Sequence, residues 1–237
     1  MHLEFTDSEQ FTALIQELAD DIVNASIYFR LYRDLNDSIP EYLTALDYAP
    51  AFWRLVIQAQ REVTLFRLCR AYDSEKNSLS LFNWLDTIEG NLDIFDTPNF
   101  RSRLKENPFV DSLAAVNRVP SKKQLDRDKK LVASNDTLVN KLIRWRNNIG
   151  AHRSPKETLR PGSAAGQSLT LDEVSELLER ATRILNDYSG LFRAVYFSIQ
   201  LVGADDFKYV LESVRQRIEE AERRFQEELR AHEQGIP

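Results

Sequence analysis

A single cysteine, Cys69, in 237 residues excludes an internal disulfide. It stands in the apolar-rich stretch "VTLFRLC", the setting of a buried, inert thiol. Glycine and proline are scarce, at seven and eight. The chain is instead rich in Leu, Glu, Arg and Ala, a composition that favours long helices and short connections. Of the three histidines, His2 and His232 lie near the ends and only His152 is internal, so no Cys/His metal set exists. A P-loop, a dinucleotide fingerprint and a Gly-x-Ser-x-Gly elbow are also missing. The carboxylate pairs Asp20–Asp21 and Glu219–Glu220 follow solvent-facing helical patterning, not that of a metal site. Neither a metal nor a cofactor is expected.

Long apolar runs are absent as well. The best candidate, "LFRAVYFSIQLVGA", falls short of the ~20 residues a membrane helix requires and contains Arg193. The start, "MHLEFTDSEQ", has neither the basic end nor the apolar core of a signal peptide. A cytoplasmic protein without membrane contact is the resulting expectation. Hydrophobic residues at 43% and charged residues at 29% are ordinary for a globular chain, and its length allows a substantial core.

What is present is helical spacing. Phe11, Leu14, Ile15, Leu18, Ile22 and Ile27 follow a possible Thr6–Glu9 capping box and predict a helix from about Ser8 to Arg33, broken by "NDSIP". Pro50 opens a helix through Tyr72, and "LSLFNWLDTIEG" reads as an amphipathic helix stopped by Gly90. Residues 91–119 are the least regular. Helical pattern resumes from Ser121 to Gly150. A second capping box, Thr170 with Glu173, starts a helix expected to reach about Val202. In the last helix Phe207, Leu211, Val214, Ile218, Ala221, Phe225 and Leu229 form a near-heptad stripe, which suits packing within the chain or pairing with a second chain. The expected architecture is an all-α bundle of long antiparallel helices. It is read as a single domain over 1–237, with a loop at 153–168 and a long amphipathic helix at 205–231.

Charge is unevenly spread. Between Ser112 and Lys156 eleven cations face three anions, a formal +8, which leaves −14 elsewhere to give the net −6. Lys122, Lys123, Lys141, Arg144 and Arg153 are the candidate RNA-binding residues of this segment, since a basic stretch on an acidic body steers a polyanion to one place. A merely solvated helix face is the alternative.

Within that segment lies "RWRNNIGAH", Arg144 to His152. Two readings stand. In the first, Gly150 ends a helix and the nearby cations interact favourably with its dipole. In the second, a guanidinium, an amide and an imidazole without metal suit the cleavage of RNA. Imidazole gives or takes a proton near neutrality, and arginine grips two phosphate oxygens. Arg146 and His152 are six residues apart, about 120° around a regular helix, so they converge only if the helix loosens. One internal histidine also cannot be both acid and base. A twofold dimer that brings two such segments into one cleft answers both difficulties.

The run "RNNIGAH" resembles the motif of the HEPN ribonucleases, an arginine, a polar residue, four more and a histidine. The stretch "LFRLCRAYDSEKNSLSLFNWLDTI" and the helix order look like the abortive-infection, AbiU-like branch. The resemblance implies a HEPN-like helical bundle and a homodimer that cuts RNA without metal. Such a protein would serve as a toxin or antiphage effector, with an antitoxin protein as a possible partner. By this resemblance Arg146 is the phosphate-binding or orienting cation, His152 the proton-transfer residue and Asn147 the polar neighbour that positions them. Arg70, Tyr72 and Asp73 of "CRAYD" match the branch, and a buried structural Asp–Arg pair is their expected use. Many HEPN proteins have lost cleavage, so a non-catalytic helical module binding RNA, a nucleotide or a partner protein is the rival reading.

Overall fold

The computed structural model describes residues 3–147 and 169–233, all of them helical or irregular, with no strand. The helices are α1 (Ser8–Asp47), α2 (Pro50–Ala71), α3 (Leu81–Gly90), α4 (Thr97–Arg103), α5 (Val110–Leu113), α6 (Lys122–Val132), α7 (Thr137–Trp145), α8 (Leu171–Arg193) and α9 (Asp206–Glu233). A 3₁₀ turn, Leu92–Phe95, precedes α4. Two compact units divide the chain, Met1–Ser26 with Val63–Ile199, and Ile27–Glu62 with Gln200–Pro237.

Several boundaries differ from the sequence expectation for local reasons. Helix α1 is capped by Asp7 rather than Thr6, because Asp7 Oδ1 accepts the backbone N–H groups of Glu9 and Gln10, each at 2.9 Å. The helix does not break at "NDSIP". It continues past Pro40 and is interrupted at Tyr42, whose φ of −113° and ψ of 22° are not helical. Proline removes one hydrogen bond and crowds the preceding turn, which kinks a helix whose flanks are otherwise stable. Ser121 and Asp136 each cap a new helix, so residues 121–145 form two short helices rather than one. The Thr170–Glu173 capping box is present. Helix α8 stops at Arg193, short of Val202, because Ala194 turns left-handed at φ 54°. Asn186 then grips the departing chain, accepting from the Phe197 N–H at 2.7 Å and donating to its carbonyl at 3.1 Å.

The first unit holds a large aromatic core. Phe11 lies 4.7 Å from Phe192, 6.1 Å from Phe95 and 6.5 Å from Trp84, ring centre to ring centre, and Trp84 meets Tyr188 at 5.9 Å. Burying such rings supplies most of the driving force for folding. Helix α8 presents Val174, Leu177, Leu178, Ala181, Ile184, Leu185, Tyr188 and Phe192 to this core. Tyr72, fully buried, donates to the Leu177 carbonyl at 2.7 Å.

One buried carboxylate ties α6 to α8. Asp128 is 0% exposed. It accepts from Arg183 at 2.9 Å, from Arg127 at 3.1 Å and from the Tyr188 hydroxyl at 3.2 Å. Burial, then the neighbouring Asp128 charge, pushes the Tyr188 phenol well above its ordinary value.

The second unit has a much smaller core, Tyr42, Ala45, Leu46 and Leu211, flanked by Ile39, Trp53, Phe207 and Val214. The stripe along α9 is therefore divided. Its first half packs here, whereas Phe225 and Leu229 stay 58% and 41% exposed.

Asp128→Ala leaves the buried Tyr188 hydroxyl without its acceptor and Arg183 with Asp187 alone, and we expect a loss of about 2 kcal/mol. Urea denaturation at neutral pH measures it, and an unchanged midpoint would refute the assignment.

Candidate functional site

The site is built on α7, whose apolar spacing buries Val139, Leu142 and Trp145 on one face. Trp145 meets Phe66 of α2 edge to face at 5.8 Å. Arg144 consequently points to solvent. Arg146 is the C-cap of α7, still helical at φ −53° and ψ −50° with its N–H bonded to the Leu142 carbonyl, and a wider, π-type turn starts at Arg146 and Asn147. Such turns are frequent at functional positions. The loosening expected near Gly150 lies outside the described residues.

Arg146 is held on two sides. Its Nη1 donates to Asp73 Oδ1 at 2.7 Å, and its Nε donates to Asn147 Oδ1 at 3.1 Å. Arg146 and Asp73 side chains are both about one-quarter exposed, at 23% and 21%. Asp73 stands just beyond the C-terminus of α2, its N–H bonded to the Arg70 carbonyl at 3.2 Å. Buried Cys69 lies nearby. Burial pushes its thiol up to about 12, with Arg146 pulling the other way, so it stays protonated at neutral pH.

The other members of "CRAYD" divide differently from expectation. Asp73 pairs with Arg146, not with its neighbour Arg70. Arg70 instead contacts Asp21 at 3.1 Å, and Arg67 bridges Asp20 and Asp21 at 3.2 and 3.1 Å. Asp21 is nearly buried, and that burial raises its pKa against the pull of Arg70 and Arg67. A cleft of about 380 Å³ opens here, lined by Glu17, Asp21, Arg70, Asp73, Ser78 and Leu79. Three carboxylates against one guanidinium make it unsuited to a polyanion. Among the described residues, no group of three or more His, Cys, Asp or Glu has the arrangement to hold a metal.

The candidate RNA-binding residues are not alike. Lys122 and Lys123, at the start of α6, and Arg144 are exposed. Lys141 is held by both carboxylate oxygens of Glu173, at 2.8 and 2.7 Å. Other cations of the basic segment are also engaged. Lys129 bridges Asp86 and Glu89 at 2.7 and 2.8 Å, and buried Arg118 donates to the Gly190 carbonyl at 2.8 Å and to the Leu113 carbonyl. His152 and Arg153 lie outside the described residues.

The contact between Asp73 and Arg146 was not anticipated. The available signal was an aspartate directly after a helix C-terminus, where the dipole disfavours an anion unless a cation answers it.

An all-α chain whose arginine-bearing helix end leads toward a single internal histidine has the organisation of a HEPN protein. The model of one HEPN family, AbiU2, matches residues 8–225, and the chain belongs to that family, which is related to abortive infection. No curated protein and no solved structure matches it. No helix among the described residues is long and apolar enough to cross a membrane.

Glu173 carries a pH prediction. The Lys141 hydrogen bond, then the Thr170 N–H, holds its carboxyl below the ordinary value. The stabilisation is therefore present at neutral pH and disappears as the pH falls through the folded value. Lys141→Met should lower the urea midpoint at neutral pH, and the difference from wild type should shrink and disappear as the pH falls below the ordinary carboxylate range. A difference that persists in acid would contradict this.

Proposed function

We propose that this protein is a metal-independent endoribonuclease that acts as a homodimer in the cytoplasm, as a toxin or antiphage abortive-infection effector. The observation that carries the reading is Arg146 itself. It is a partly buried guanidinium at the point where α7 passes into a π-type turn, anchored by Asp73 and Asn147, six residues before the one internal histidine. Family membership supports it.

In the proposed reaction a ribose 2′-hydroxyl attacks the adjacent phosphorus. The new bond joins that oxygen to phosphorus as the bond to the 5′ oxygen of the next nucleotide breaks. His152 takes or supplies a proton, and its copy in the second subunit serves the complementary step. Arg146 stabilises the charge that gathers on the phosphoryl oxygens, and Asn147 orients it. The exposed Lys122, Lys123 and Arg144 guide the RNA backbone, with Arg153 and Lys141 as further members of the basic segment. An antitoxin protein that restrains the activity is a proposed partner.

A non-catalytic RNA-binding module is the second reading, favoured by those exposed cations. It needs Lys122 and Lys123 but not His152.

We expect Arg146→Ala and His152→Ala each to abolish RNA cleavage in vitro and growth arrest in a host cell, with the fold intact by circular dichroism. Wild type and His152→Ala that leave growth and RNA equally unaffected would defeat the nuclease reading. Neutralising Lys122 and Lys123 together should weaken binding to single-stranded RNA and flatten its salt dependence by about 0.7 in log–log slope per lysine. An unchanged slope would remove both residues from the interface.

A further inference from the structure

We infer that Asp73 is a positioning residue for RNA cleavage: it fixes the Arg146 guanidinium so that a free edge faces the scissile phosphate. The inference rests on the endoribonuclease reading and gives Asp73, there only an anchor, a role in the rate of the chemical step.

The argument is one of donor geometry. A guanidinium has five N–H donors in one rigid plane and grips phosphate best through two of them at once. Arg146 gives its Nε–H to Asn147 and one Nη1 hydrogen to Asp73. Nη2 and the second Nη1 hydrogen form the edge we assign to two phosphate oxygens. Two acceptors on different parts of the plane stop it from rotating about the side-chain axis, which one acceptor does not.

The placement of Asp73 makes the restraint stiff. Arg146 is the C-cap of α7, the last residue held by regular helical bonding, whereas Asp73 is attached to the end of α2 through its bond to the Arg70 carbonyl. Trp145 packed on Phe66 holds the same two helices together one residue earlier. An aspartate after a helix C-terminus is electrostatically unfavourable by itself, and Arg146 supplies the answering charge. The carboxylate lowers the net charge at the arginine, so its benefit lies in orientation, not in attraction for RNA. It should therefore act on the rate of the chemical step and leave affinity unchanged.

The test uses the full chain, a fluorophore-labelled single-stranded oligoribonucleotide of mixed sequence, and Asp73→Ala, Asp73→Asn and Arg146→Lys variants. Asp73→Ala should lower the single-turnover cleavage rate by about 100-fold, the scale of a misplaced catalytic group, with RNA affinity unchanged. Asp73→Asn keeps an acceptor and should restore most of the rate. In an Arg146→Lys background, Asp73→Ala should cost far less, because the plane it orients is gone. Nitrogen-edited NMR reads the restraint directly: separate Arg146 Hη signals in wild type, one averaged signal in Asp73→Ala. The inference falls if Asp73→Ala cleaves at the wild-type rate, if its loss is equal in the Arg146→Lys background, or if wild-type Arg146 is already averaged. Wild type with a fixed Arg146 that cleaves no RNA would instead overturn the nuclease reading, and this inference with it.

Discussion

Helix α7 has nine residues, too few to persist alone in water, yet it carries the arginine at the centre of the candidate site. Ion pairs and buried rings fix it at three levels. Arg180 of α8 contacts its capping Asp136 at 3.1 Å, Glu173 of α8 takes Lys141 near its middle at 2.7 Å, and Asp73 after α2 takes Arg146 at its end at 2.7 Å. Each pair joins α7 to a longer helix, or to the segment just after one, that buries its own apolar residues in the first unit. Partly exposed pairs add little to stability individually. Here they set the rotation and height of a short helix, and the position of Arg146 follows from that.

The same partnerships change what the basic segment means. A formal +8 over Ser112–Lys156 describes a chain in which every cation faces water. In the folded first unit Arg118, Arg127, Lys129, Lys141 and Arg146 all have protein partners. The charge offered to a polyanion is concentrated instead on exposed residues such as Lys122, Lys123 and Arg144. Desolvation explains the division. A cation moved toward the core needs a carboxylate or carbonyl to replace its water, so the inner cations belong to the scaffold and the outer ones to the solvent.

The second unit shows the complementary situation. Four buried residues form its core, while Tyr48, Phe52 and Tyr209 remain more than half exposed. The heptad spacing of α9 serves that core only at its beginning, and Ala221, Phe225 and Leu229 are exposed.

Much of the fold was legible along the chain, because helical periodicity and capping are local. The stripe Leu14–Ile22, the stop at Gly90 and the Thr170–Glu173 box need only neighbours three or four residues away. The errors also have local causes that the rest of the structure outweighs: a proline tolerated inside α1, and a left-handed alanine that ends α8 early. The site was legible in part. The spacing from Arg146 to His152 singled out a motif and required that the helix loosen, but periodicity carries no information on where Asp73 lies relative to a residue seventy-three positions later. Asp73 reaches Arg146 because α2 and α7 end at the same place, a result of packing Trp145 on Phe66. Local sequence determined which segments are helices and which residues bear the chemistry. Only tertiary structure decided their charge partners, since an ion pair depends on distance in space and not along the chain.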